Sequence, residues 1–229
     1  MYVRLRRRSG DALADVDRWW VIAAAAAGAA LGSRILYWFE DPPLTLQHFR
    51  DVNFLMGGKT IVGALAGALI FVELLKFRLG IRRPTGDLFA TPLCAGIAVG
   101  RIGCFLTGLP DQTYGIPTAA PWGIDFGDGV PRHPTQLYEI TFALFLGIYL
   151  WRLMQRNYRP GDVFKGFMTG YFGFRLFCDF LKPEVRVYCG LSSIQWVCTA
   201  ILVYYARDIV RWVRSLVAAE IPEGEQKQT

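Results

Sequence analysis

Six apolar stretches joined by short loops constrain this chain more than any other feature: Trp19 to Phe39, Leu55 to Leu75, Leu88 to Leu109, Leu137 to Leu153, Val163 to Leu181 and Leu191 to Tyr205. A helix crosses a bilayer with about 20 mostly apolar residues, and it satisfies its backbone groups without water or a partner strand. The pattern predicts an all-α fold, a polytopic transmembrane helical bundle of about six spans. Trp19, Trp20, Tyr37, Trp38, Trp151 and Trp212 fall near span ends, at the headgroup level that amphipathic rings prefer. Small residues recur inside the spans, as in Gly63-Ala-Leu-Ala-Gly67, and let helices approach closely. Composition agrees: 53% hydrophobic and 19% charged is too apolar for an ordinary soluble domain, of which about a quarter is charged. The same fractions exclude a disordered chain, and five cysteines in 229 residues exclude a disulfide scaffold.

The net charge of +6 raises the question of nucleic acid, which the placement of the basic residues answers. Arg4, Arg6, Arg7, Arg8 and Arg18 precede the first span, and Lys76, Arg78, Arg82 and Arg83 follow the second. Arg152, Arg156, Arg159 and Lys165 join the fourth to the fifth, and Arg207, Arg211, Arg214 and Lys227 follow the sixth. Six spans put all of these on one side, and only Arg50, Arg132, Lys182 and Arg186 on the other. The positive-inside rule makes the rich side the cytoplasm, so the chain reads N-in and C-in. The charges are orientation signals rather than one basic stripe, so no nucleic acid partner is expected. The basic start followed by a long apolar run reads as a retained helix and not as a cleavable signal peptide.

Arg34, Lys59, Arg101 and Arg175 remain, each inside or at the rim of a span. A charge at the bilayer centre costs about 2.5–3.5 kcal/mol on insertion scales, so all four need a reason. Following the direction of each span, every one lies in the outer half of the membrane, and Glu139 and Asp179 lie there too. This predicts a cationic cavity facing the outer leaflet, with the two carboxylates as counter-ions. A guanidinium fork matches phosphate oxygens with paired, charge-assisted hydrogen bonds, and a phospholipid phosphate lies at about this depth. For Arg175 and Asp179, at i,i+4 spacing, a bundle-locking ion pair is the competing reading.

The chain divides into one helical domain over 1–215, an outer-face cap loop over 110–136 and a polar cytoplasmic tail over 216–229. The cap is rich in glycine and proline and carries Tyr114, Trp122 and Phe126. A loop of that length is usually functional or disordered, and the aromatics favour an ordered cap. It runs into Arg132-His-Pro-Thr-Gln-Leu-Tyr-Glu139, where His133 is suited to proton transfer near neutrality or to a structural role before proline. Cys94 and Cys198 read as small core residues, Cys104 and Cys178 as packing neighbours of the arginines, and Cys189 as a lone thiol. No metal-ligand spacing, nucleotide-type glycine loop or repeat stands out, so no cofactor is expected.

At this point the motifs resemble those of the prolipoprotein diacylglyceryl transferase family. Gly32-Ser-Arg34-Ile-Leu-Tyr37 is similar to the family's early helix, and Gly58-Lys-Thr-Ile-Val-Gly63-Ala-Leu-Ala-Gly67 to its glycine-rich block. Gly100-Arg101-Ile-Gly103-Cys-Phe-Leu-Thr-Gly108 with Tyr114-Gly115 resembles its signature, and the octapeptide 132–139 is close to the family pattern throughout. Phe174-Arg175-Leu-Phe-Cys-Asp179-Phe and Gly190-Leu-Ser-Ser-Ile-Gln195 complete an ordered set spanning most of the chain.

The resemblance implies a multi-pass enzyme of the bacterial plasma (inner) membrane, with its active face toward the outer leaflet and periplasm. Such an enzyme transfers a diacylglyceryl group from phosphatidylglycerol to the cysteine thiol of a lipoprotein precursor, releasing glycerol phosphate. It implies essential roles for Arg101 and Arg175. His133 and Glu139 are the candidates to assist proton transfer. Arg34, Lys59, Gly103, Tyr114, Gly115, Arg132, Gln136, Tyr138 and Asp179 are the candidate substrate contacts. Three departures stand out: Val62 replaces the histidine of the glycine-rich block, Cys104 replaces an asparagine, and the family's first helix is missing from the pattern. The lipid-phosphate side is kept and the acceptor side altered, so the acceptor is the lipoprotein thiol or a different nucleophile. Two further readings stand beside this one. A non-catalytic phospholipid- or lipoprotein-binding relative is favoured by Val62. A small-anion transporter is disfavoured because the cations crowd one leaflet.

Overall fold

The computed structural model describes residues 15–156, 158–183 and 185–220, and the fold is mostly helical. Arg4, Arg6, Arg7, Arg8, Lys227 and most of the tail lie outside the described residues. The helices are α1 (Asp15–Glu40), α2 (Pro42–Gln47), α3 (Val52–Gly57), α4 (Ile61–Leu79) and α5 (Asp87–Thr107). They continue with α6 (Thr135–Leu153), α7 (Asp162–Cys178), α8 (Ser193–Tyr204) and α9 (Ala206–Glu220). The only strands among the described residues are a two-residue pair in the cap, β1 (Ile124–Asp125) antiparallel to β2 (Pro131–Arg132).

Each apolar stretch contains a helix, but the bounds carry physics that hydropathy does not. The second stretch begins six residues later than its apolar run, at Ile61, because Gly58 is extended and Thr60 caps α4, its Oγ1 accepting from Gly63 N at 2.9 Å. Gly58 also lies flat against Tyr37, where a Cβ would come within 2.1 Å of the ring. Gly80, at φ 68°, closes α4 with the left-handed cap glycine favours. Asp87 at the start of α5 accepts from Gly161 N at 2.6 Å and Phe164 N at 2.9 Å, and so caps α7 from another helix. Two helical segments, Asp17–Glu40 and Asp87–Thr107, are long and apolar enough to cross a membrane by length and composition. α8, at 12 residues, is about 18 Å long at 1.5 Å per residue, short of a bilayer core.

The core is apolar, around Phe167, Met168 and Phe172, but burial departs from that of a water-soluble bundle in two ways. Arg101, Gln136, Glu139, Arg175, Asp179 and Gln195 are buried, whereas Phe77, Leu106, Phe145 and Phe177 are 83%, 77%, 69% and 74% exposed. Outward apolar surface of this extent marks a membrane or interaction surface.

α1 and α4 form a hairpin zipped by glycines. A Cβ on Gly32 would stand 2.3 Å from Gly63 O, and one on Gly67 would stand 2.2 Å from Gly28 O. Backbone meets backbone along this seam, as small-residue interfaces permit. The hairpin leans on α8, and α5, α6 and α7 complete the bundle. The C-terminal ends of α1, α5 and α7 therefore gather with the N-terminal ends of α4, α6 and α8. Gly67→Ala must push the hairpin apart and should cost about 1–3 kcal/mol, the range for overpacking. Thermal unfolding in detergent would read this as a lowered midpoint, whereas Gly96→Ala, with nothing within 4 Å of its Cβ, should leave it unchanged.

Candidate active site

Four helices deliver charged or polar side chains to that gathered end. Arg101, in the last two turns of α5, places Nε 2.9 Å from Glu139 Oε2 in the first turns of α6. The Nε–H is off-line, so the contact is an ion pair rather than an aligned hydrogen bond. The other carboxylate oxygen, Glu139 Oε1, accepts from the Tyr171 hydroxyl of α7 at 2.6 Å. One turn after Tyr171, Arg175 places Nη2 3.3 Å from Asp179 Oδ1, and Asp179 Oδ2 accepts from Ser192 Oγ at 2.5 Å. Ser192 and Gln195 close a reciprocal capping box at the start of α8. Arg101, Arg175 and Lys182 all act electrostatically on Glu139, so the carboxylate sits among three cations.

This cluster is not internally satisfied. Arg175 Nη1, both amide atoms of Gln136 and Gln195 Nε2 are buried without a hydrogen-bond partner. Unpaired buried polar groups cost about 1–3 kcal/mol each, so such groups are usually held for a ligand, ion or water. Cys104 Sγ lies 3.8 Å from Arg101 Nη1, and Val62 is buried in the core, 1% exposed.

The cap folds over the same end. Gly115 donates to His133 O at 2.8 Å, Ile116 to Leu181 O at 2.7 Å, and His133 N to Ile116 O at 3.1 Å. A Cβ on Gly115 would meet His133 Cβ and Leu181 O at 2.7 Å, so only glycine fits this approach. The Tyr138 hydroxyl lies 3.1 Å from His133 Nδ1. Arg132 grips Asp128 with two 2.7 Å contacts and stacks on the Tyr114 ring at 4.9 Å, so it fastens the cap upon itself. That grip holds the Asp128 carboxyl down at about 2. The clamp is therefore whole above the carboxyl's ordinary 3.8 and is lost as pH falls through about 2.

Of the sequence-read residues, the structure brings Arg101, Arg175, Glu139 and Asp179 together, sets Gly115 and His133 in the cap beside them, and puts Tyr138 in the first turn of α6, against His133. Gly103 is exposed on α5. Arg34 and Lys59 lie at the same end, but Arg34 Nη1 contacts Met56 Sδ at 3.0 Å and Lys59 is exposed. Sequence reasoning missed Tyr171 and Lys182. Tyr171, Arg175 and Asp179 succeed one another at i,i+4, which would have placed the phenol on the charged face. Beside the cluster an apolar groove of about 790 Å³ runs between the hairpin and α8, lined by Gly32, Leu36, Gly67, Phe71, Tyr188 and Trp196 among others. Tyr188 bridges it, donating to Phe39 O at 3.1 Å while its own carbonyl accepts from Trp196 Nε1 at 3.1 Å.

Fold and site define a membrane-type helical bundle with a buried, two-arginine polar centre at one end. The chain belongs to the prolipoprotein diacylglyceryl transferase family, whose model matches residues 1–210. This is a family of membrane transferases of lipoprotein biosynthesis. Among relatives bearing the name phosphatidylglycerol–prolipoprotein diacylglyceryl transferase, that of Bordetella parapertussis is 33% identical over 189 residues, 77% of this chain and 71% of the relative. That of Cupriavidus pinatubonensis is 35% identical over 204 residues, 82% and 70% of the two chains. The Paracidovorax citrulli relative is 28% identical over 230 residues, 92% and 83%.

Tyr171→Phe removes the hydroxyl that Glu139 accepts from and leaves one carboxylate oxygen unmatched. It should destabilise the bundle by about 1–3 kcal/mol, read as a lower unfolding midpoint in detergent.

Proposed function

We propose that this protein transfers a diacylglyceryl group from phosphatidylglycerol to an acceptor nucleophile, a lipoprotein cysteine thiol or a different group, with release of glycerol phosphate. The observation that carries the reading is the pair of buried arginines meeting across Glu139, with Arg175 Nη1 still unpartnered. The acceptor sulfur attacks the glycerol carbon that bears the phosphate ester. The carbon–oxygen bond breaks, its electron pair leaves with glycerol phosphate, and the thiol proton passes to a base. Negative charge builds on the departing phosphate, and preorganised cationic donors at that position are what lower such a barrier. Arg101 and Arg175 supply them. Glu139, bound by Arg101 and Tyr171, orients Arg101 and offsets its charge before lipid arrives. His133 is the proton acceptor in the tautomer whose Nδ1–H donates to the Tyr138 oxygen, which leaves Nε2 as the basic nitrogen; the contact itself fits either tautomer. Gln136, with both amide atoms unmatched, serves the polar headgroup.

A specific observation favours a second reading, a phospholipid-binding protein without turnover. Val62 is sealed in the core at the position where the family pattern carries a histidine. Reconstituted protein, labelled phosphatidylglycerol and a lipoprotein signal peptide decide between the two by mass spectrometry. Transfer should appear with wild type and fall about 10²–10³-fold in Arg101→Lys and Arg175→Lys, which keep charge and lose the fork. Lipid retained by wild type alone, with no glycerol phosphate, would establish the binding protein instead.

The same reading sets the bundle in the bacterial plasma membrane with six spans, both termini inward, and the polar centre and the 110–136 cap outward. The exposed apolar belt and the one-sided basic residues support it. Reporter fusions test it: a periplasm-active enzyme inserted near Gly127 should be active and one fused after Thr229 silent. The reverse pattern refutes the orientation.

A further inference from the structure

α9 is docked the opposite way round from a helix on a soluble protein. Its polar side faces the bundle: Asp208 Oδ1 accepts from Lys165 Nζ at 2.9 Å, and Arg211 Nη2 reaches Asp162 Oδ1 at 2.6 Å and Asp208 Oδ1 at 3.0 Å. Trp212 Nε1 adds a contact to Asp162 Oδ2 at 3.4 Å. Asp162 and Lys165 belong to the first turn of α7, so α9 is held at the end of the bundle away from Arg175. Its apolar stripe points outward: Val210, Val213 and Val217, at i, i+3 and i+7, are 47%, 53% and 54% exposed. Arg207 and Arg214, one heptad apart, are exposed along one edge of that stripe.

Ion pairs thus commit the polar face to the protein and turn the valines away from it. Among the described side chains the stripe is three valines, far too narrow for a protein partner, since a stable interface buries about 800 Å² per side. A lipid surface asks for less: shallow insertion of an apolar stripe, plus basic residues beside anionic headgroups. The charge complementarity is direct, because arginine guanidinium pairs with phosphate.

We propose that α9 lies flat in the headgroup layer of the leaflet opposite the polar centre, the cytoplasmic leaflet in the orientation with both termini inward. Its valine stripe enters the acyl boundary, and Arg207 and Arg214 bind phosphates of anionic phospholipid. The membrane reading underlies this, but the transfer reaction does not, so it stands or falls without an activity assay.

The test uses the full chain with Cys189→Ser and Val213→Cys, carrying an environment-sensitive fluorophore at 213 and compared with Cys189→Ser alone to subtract labelling elsewhere. The protein is reconstituted into vesicles of brominated phosphatidylcholine, with or without phosphatidylglycerol. In the anionic vesicles the label should be blue-shifted and quenched, while a label at Ser215→Cys, across the helix, stays bright. Arg207→Gln with Arg214→Gln should lower the ratio of embedded to exposed label about tenfold, and the double lysine variant should restore it. A bright label at 213, or quenching equal in neutral and anionic vesicles, overturns the proposal. So does energy transfer between labelled copies in place of lipid quenching, which would make the stripe a self-association surface.

Discussion

An arginine placed where water is excluded must find its counter-charge inside the protein, and that requirement organises this molecule. Arg101 and Arg175 are 6% and 3% exposed. Removing one partner from a buried ion pair costs about 3–5 kcal/mol, because the charge left behind has nothing to answer it. Glu139 answers Arg101, Tyr171 holds Glu139, Asp179 answers Arg175 and Ser192 holds Asp179. Three of these links join different elements and the fourth, Arg175 to Asp179, spans one turn at the end of α7, so the chain of compensation runs from α5 through α6 and α7 to the start of α8. Matching the arginines fixes the register of four helices at one end. It leaves Arg175 Nη1 and both atoms of the Gln136 amide unmatched.

The opposite end is built on a second set of carboxylates. Asp87 of α5 caps α7, and Asp162 of α7 holds Arg211 and Trp212 of α9. These contacts fasten helix starts and the terminal helix, and their donors and acceptors are matched to one another. One end of the bundle is therefore closed chemistry and the other open chemistry, although both are made from acids and bases at helix termini.

Much of this was legible in the sequence because apolar runs and intramembrane charges obey strong rules. The helices α1 and α4 to α8 are readable from hydropathy, whereas the short α2 and α3 and the amphipathic α9, part of which reads as polar tail, are not, and the four unplaced cations pointed to one end of the bundle. The close approach of α1 and α4 is readable from the small residues around Gly63 and Gly67. Hydropathy could not reveal features that depend on a single backbone conformation or a third partner. The start of α4 at Ile61 depends on Gly58 meeting Tyr37 and on the Thr60 cap, although Leu55 and Met56 are as apolar as Ile61 and Val62. Lys182 looked like an ordinary loop cation and is buried, because the three-residue 3₁₀ turn after α7 folds it back toward Glu139. Arg132 sits in the most family-like segment, yet its fork is occupied by Asp128, four residues earlier in a loop where no helical spacing rule applies.

The glycine zipper has a mechanical side. It makes α1 and α4 a stiff pair whose seam tolerates no extra atom, and that pair leans on the remaining helices through α8. The groove between that pair and α8 is bridged at Tyr188 by its hydrogen bonds to Phe39 and Trp196. One tyrosine therefore ties α1 to α8 across the groove, and the spacing of its two sides at that point is the reach of a single side chain.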